Sequence, residues 1–198
     1  MEPCRTRQTP RTSRARRLFV AAGLSALVAD ALTNIARAVD VQASEYQIKA
    51  AYLCKFAAYV EWPAASTSEA TAPIVIGLVA SDAVAAEMAS TLQGQSVGNR
   101  PIVMRRIDPQ GRWDGLNVLF VARTHSARLP EALAALQGRP VLTVAESDAP
   151  GDSTSMVKFV VIDDKVKFDV ALALVLHSGL KISARLLAVA HVVTGRDT

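Results

Sequence analysis

Chemistry in a folded chain needs nucleophiles, bases, metal donors or free amides at workable spacings. The three histidines, His125, His177 and His191, are scattered, with no H-x-x-x-H pair and no C-x-x-C, so no metal site is spelled out. His125 reads as a helix-start residue, and His177 lies just before Gly179 at a helix end, where a cation is favoured. Ser155-Met156-Val157-Lys158 spells S-x-x-K, a pairing that works only on a helix. Its Val/Phe surroundings predict a strand, in which positions i and i+3 point to opposite faces. There is no G-x-S-x-G elbow, no G-x-x-x-x-G-K-[ST] loop and no G-x-G-x-x-G after the first predicted strand. The turn after that strand is Val79-Ala80-Ser81-Asp82, whose acid disfavours a phosphate at the helix start. Gly151-Asp152-Ser153-Thr154-Ser155 has amides and hydroxyls that can nest an anion, but its composition is also that of an ordinary turn. Cys54 lies beside an apolar helical stripe and reads as a small core residue rather than a nucleophile. No catalytic, cofactor-binding or metal-binding residue is assigned, and the expectation is a binding protein, not an enzyme.

Charge points the same way once its position is considered. The 198 residues carry 22 Lys+Arg and 18 Asp+Glu, a net +4 that invites a nucleic-acid reading. The excess sits at the start: Arg5, Arg7, Arg11, Arg14, Arg16 and Arg17 face only Glu2. An apolar run from Leu18 to Ala29 follows, too short to span a bilayer easily, and then Ala36-Arg37-Ala38. This order describes a signal peptide over residues 1–38, cleaved after Ala38 or, alternatively, after Ala43. Arg16-Arg17-Leu18-Phe19-Val20 gives it a twin-arginine flavour, so Tat export stands beside Sec. Cleavage after Ala38 takes away seven Arg and two acids, leaving 15 basic and 16 acidic residues, a charge of −1 and Cys54 as the only thiol. The expected compartment is the periplasm, the nucleic-acid reading falls, and the chain must hold together by its core alone.

With 51% apolar and 20% charged residues, the chain has the material for that core. Residues 44–61 predict a helix whose stripe is Tyr46, Lys49/Ala50, Leu53, Phe56/Ala57 and Val60, with Ser44 as cap and Trp62-Pro63 as stop. Residues 64–72 read as a linker. Strands buried on both faces are expected at 74–80, 116–122 and 141–145, with a further strand at 101–107 whose Arg105-Arg106 suggests an edge. Helices are expected from Ser81 or Asp82 to Gly94 and over 123–137, and 146–155 reads as a loop. Residues 156–162 and 165–170 form a hairpin about Asp163-Asp164, followed by a short helix at 171–178 and a last helix over 183–193. The fold class is α/β: one three-layer α/β/α domain over residues 44–193, mostly parallel, with a C-terminal antiparallel hairpin at its edge.

Two stretches are distinctive together. One is Ile48-Lys49-Ala50-Ala51-Tyr52-Leu53 with Phe56-Ala57-Ala58-Tyr59-Val60-Glu61-Trp62-Pro63. The other is Val166-Lys167-Phe168-Asp169-Val170 with Ser178-Gly179-Leu180-Lys181-Ile182-Ser183-Ala184-Arg185-Leu186-Leu187. With Val118-Leu119-Phe120-Val121 and Gly138-Arg139-Pro140-Val141-Leu142-Thr143-Val144 between them, this set resembles the YfiR family of periplasmic proteins from about residue 45 to 192. The chain departs from the family at Thr154-Ser155, where a Gly-Gly is frequent, and at Ala171, where Asn is frequent. The cysteine pairs of some members are missing, so disulfide control is not implied.

The resemblance implies a repressor that binds the periplasmic domain of a membrane-bound diguanylate cyclase, or of a similar sensor kinase, and keeps cyclic di-GMP and biofilm formation low. Such an interface needs aromatic anchors and a polar rim. The candidate partner-binding residues are Tyr59, Trp62, Arg105, Arg106 and Trp113. A homodimer and a cofactor-free protein are compatible with this reading. A second reading is a periplasmic small-molecule sensor, its ligand held where the loops after Ala80, Ala122 and Ala145 meet. A third, a hydrolase of unrecognised type, has no motif behind it.

Overall fold

Why the sheet forms is visible in β2, Ile74–Val79, where nearly every side chain is buried. Ile74, Ile76 and Leu78 enter one core, and Val75 and Val79 pack with another. That two-residue alternation marks a strand covered on both sides. A computed structural model describes residues 45–63, 71–107, 112–146 and 155–195. The expected signal peptide and Ser44 cap, most of the expected linker and Gly151 to Thr154 of the candidate anion loop lie outside the described residues.

Helix α1 covers residues 45–59 and leads into β1, Val60–Glu61. After β2 come α2 (Asp82–Leu92), β3 (Ser96–Val97), β4 (Arg100–Arg106) and β5 (Val118–Val121). A 3-10 helix, Arg123–Arg128, precedes α3 (Leu129–Ala135) and β6 (Leu142–Glu146). The chain ends with β7 (Val157–Ile162), β8 (Lys165–Ala171), α4 (Leu172–His177), β9 (Lys181–Ile182), α5 (Ala184–Ala188) and β10 (Val192–Thr194). Eight strands form one sheet in the order β10-β8-β7-β6-β5-β2-β4-β3. The pairs from β4 through β7 are parallel, and β1 and β9 make a separate antiparallel ribbon. The expected α/β fold with a mostly parallel sheet is what the chain adopts.

The larger core joins α1, α2, α4 and α5 to one sheet face. The smaller core joins α3 to the other. Ser81 caps α2 through its side chain, and Met88 and Leu92 are buried as the spacing predicts. From β2 the chain moves through α2 to β4, then returns to β5 on the other side of β2. The switch point of the topology therefore lies between β2 and β5.

Five expectations need correction. The last helix is only α5: the β-branched run Val192-Val193-Thr194 becomes β10, which pairs in parallel with β8. The β7-β8 hairpin is consequently not the sheet edge; its Asp163-Asp164 turn, with φ of 51° and 56°, is as expected. The helix over 123–137 divides into a 3-10 turn and α3, because Pro130 near the start of α3 cannot donate into a longer helix. Glu146 closes β6 and is buried, not part of the loop. The first helix also stops two residues early, since Val60 and Glu61 extend to pair with Ile182 and Lys181.

Candidate functional site

The carboxyl ends of the parallel strands are where α/β proteins gather functional groups. Here that end is occupied by the chain's own charges. Along β6, Leu142 and Val144 enter the core that holds α1, and the period of two carries Glu146 to the same side. On α1, Lys49 falls within the apolar stripe and is 1% exposed. Its ammonium donates to Glu146 Oε1 at 2.5 Å and pairs with Glu45 one turn earlier. The backbone N–H of Arg123 donates to Glu146 Oε2 at 2.6 Å, and the Tyr46 hydroxyl donates to the same atom at a long 3.5 Å. The chain just after Ala122 and just after Ala145 thus meets through one carboxylate. Tyr46 and Lys49 pack beside two of the three strand ends, after Ala122 and Ala145, at which the small-molecule reading placed a ligand. The cluster pairs every charge it buries, so it braces rather than displays a reactive group.

Burial first, and then the charges of Glu146 and Glu45, push the Tyr46 hydroxyl up to about 12. Burial also raises the Cys54 thiol above its ordinary value, away from nucleophilic use. Farther along α1, Phe56 stacks with Phe159 at 5.7 Å and meets Phe168 edge-on at 4.9 Å. At the far end, Trp62 Nε1 donates to the Asn117 carbonyl, at the start of β5. Helix α1 therefore runs antiparallel to the strands, from their carboxyl ends to their amino ends.

The five candidate partner residues do not form one patch. Tyr59 is exposed and its carbonyl accepts from Ser183 N–H at 2.9 Å, while Trp62 is half-buried against the larger core. Trp113 packs on the smaller core, with the Arg128 guanidinium 5.9 Å from its ring. Arg105 and Arg106 are neighbours in a strand and so project to opposite faces. Arg105 donates to the carbonyls of Arg112 and Asp114, tying down the Trp113 loop, whereas Arg106 pairs with Asp82 at the start of α2. Trp62 and Trp113 pack on the cores of opposite sheet faces, and Arg105 holds the backbone on either side of Trp113.

Sequence reasoning passed over Lys49 and Glu146 as partners. The signal was there: a lysine inside an apolar stripe and an acid in phase with a buried strand face. Among the described residues, no group of three or more His, Cys, Asp or Glu could hold a metal ion. His191 instead pairs with Asp169 at 2.9 Å. A groove of about 180 Å³ lies between α3 and α4, lined by Leu136, Met156, Leu174 and His177 among others. It is smaller than the roughly 300 Å³ at which ordinary ligand sites begin.

Fold and site together define a mixed α/β domain whose buried polar residues serve its own architecture. Residues 46–191 match the model of the YfiR/HmsC-like family, and the chain belongs to that family. The family is one of periplasmic regulators rather than enzymes, set in cyclic di-GMP signalling. No described helix is long and apolar enough to cross a membrane. Comparison with curated proteins found no match.

Proposed function

We propose that this chain is exported by its first 38 residues and represses a membrane-bound diguanylate cyclase by binding the enzyme's periplasmic domain. The observation that carries the reading is the family match over residues 46–191. The mechanism is population shift: the regulator binds the inactive state of the receptor more tightly and so enriches it. In this proposal Tyr59 and Trp62 contact the receptor from one side of the domain, and Arg105, Arg106 and Trp113 are the remaining candidates.

The test uses the purified periplasmic domains of the membrane-bound diguanylate cyclases of the source organism. Binding of one of these domains by the wild-type protein, with cyclic di-GMP in cells falling when the protein is expressed, is the expected result. Tyr59→Ala, at an exposed position, should weaken binding by about tenfold while leaving the melting temperature unchanged. A wild-type protein that binds none of these domains and leaves cyclic di-GMP unchanged overturns the reading.

A further inference from the structure

The last strand is held by little. Its three residues pair in parallel with β8, and only Val193 reaches the larger core. A Cβ added at Gly195 would sit 2.9 Å from that of Ala173, so the end of β10 rests on α4. Among the described strands, nothing pairs with its outer side. Local opening is cheapest in such places. One side-chain contact secures the entry to the strand. His191 N–H bonds the Phe168 carbonyl, and His191 Nδ1 lies 2.9 Å from Asp169 Oδ1 on β8. A carboxylate only accepts, so Nδ1 is the donor. The imidazole is 37% exposed and the carboxylate 19%, so solvent protons reach the ring while the contact is partly shielded.

Histidine is the side chain that changes charge between about pH 5 and 8. Protonated, His191 meets the carboxylate as a charged donor. Neutral, it keeps the contact only in the tautomer with hydrogen on Nδ1, as a weaker bond. The neighbouring elements bring their own charges. Lys158 of β7 stands opposite Asp169 in the register, and Lys167 shares that face of β8. Helix α4 contributes His177, and α5 contributes Arg185. Lysine, arginine and aspartate side chains keep their charge across this window, so among these groups only the two histidines change. Asp169 has a cation opposite it throughout, and what varies is its link to β10. We propose that the His191–Asp169 contact is a pH-sensitive latch: a proton taken from solvent by His191 fastens β10 to β8, and its loss lets the strand open more often. The latch needs only the folded domain and stands apart from the receptor reading.

Amide hydrogen exchange of the full chain at about pH 5.5 and about pH 7.5, corrected for the intrinsic rate at each pH, tests it. His191 N–H points at β8, so the alternation of a strand points Val193 N–H there too. Protection at Val193 should be about fivefold higher at the lower pH, while that at Leu119 in central β5 should not change. His191→Gln keeps a donor that does not titrate, and Asp169→Asn removes the charge it meets. In each variant the Val193 ratio should fall to about one, and His177→Gln should leave it at the wild-type value. Equal protection of wild-type Val193 at both pH values overturns the latch. So does a ratio that survives His191→Gln, one that vanishes in His177→Gln, or one shared by Leu119.

Discussion

Tyr46 shows what a single residue contributes at the crowded strand ends. Its hydroxyl is held up to about 12 by burial and by two acids, while an unfolded tyrosine ionises near 10. Folding therefore favours the protonated form. That contribution is complete below about pH 10 and is lost as pH rises toward about 12. Tyr46→Phe removes the titrating group, so stability measured by urea unfolding should fall less steeply between those values. The wild type should lose about 2 to 3 kcal/mol more than the variant across the window. Equal slopes would refute the assignment. Cys54 is a quieter case: a half-buried thiol with a raised pKa packs as a small apolar side chain.

At the scale of elements, the pairing of α1 with β6 is the feature with most consequence. The Lys49–Glu146 contact clamps the second turn of the helix to the last residue of the strand, and the aromatic contacts of Phe56 hold its last turn. Removing one partner of a buried pair leaves an uncompensated charge, which costs about 3 to 5 kcal/mol. Lys49→Met should lower stability by that amount in chemical denaturation. The double variant Lys49→Met, Glu146→Leu should recover most of the loss. A double variant no better than the single one would show that Glu146 is held by Arg123 N–H and Tyr46 instead. Helices and strands with a clear apolar period were legible in the sequence: α1, α2, β2, β5 and the β7-β8 hairpin all fall where their periodicity puts them. The run after α5 was misread because Leu186, Leu187, Val189 and Val193 also keep a helical spacing. A few residues cannot separate the two periods, and the open side of β8 decided for a strand.

For the molecule as a whole, charge and address come apart. The surplus of arginine lies within the first 37 residues, and the remaining chain is near neutral. N-terminal sequencing of protein recovered from the periplasm should find a start at Val39 or Ser44. An intact arginine-rich terminus would reopen the reading of the chain as a nucleic-acid binder. The YfiR/HmsC-like match spans nearly the whole described domain, so the regulatory reading concerns the domain and not a fragment of it.

The sequence by itself determined the class of fold, the stripe of α1, the buried central strands and the family, because each is written in local periodicity or in a contiguous motif. Only the tertiary structure decided which charges meet, which candidate residues share a face and which strand is left at the edge. Lys49 and Glu146 are 97 residues apart, and their pairing follows from how α1 lies across the sheet. Arg105 and Arg106 are adjacent, yet the pleat sends them to opposite sides. Contacts between distant segments depend on strand order and crossover direction, which no single stretch of chain encodes.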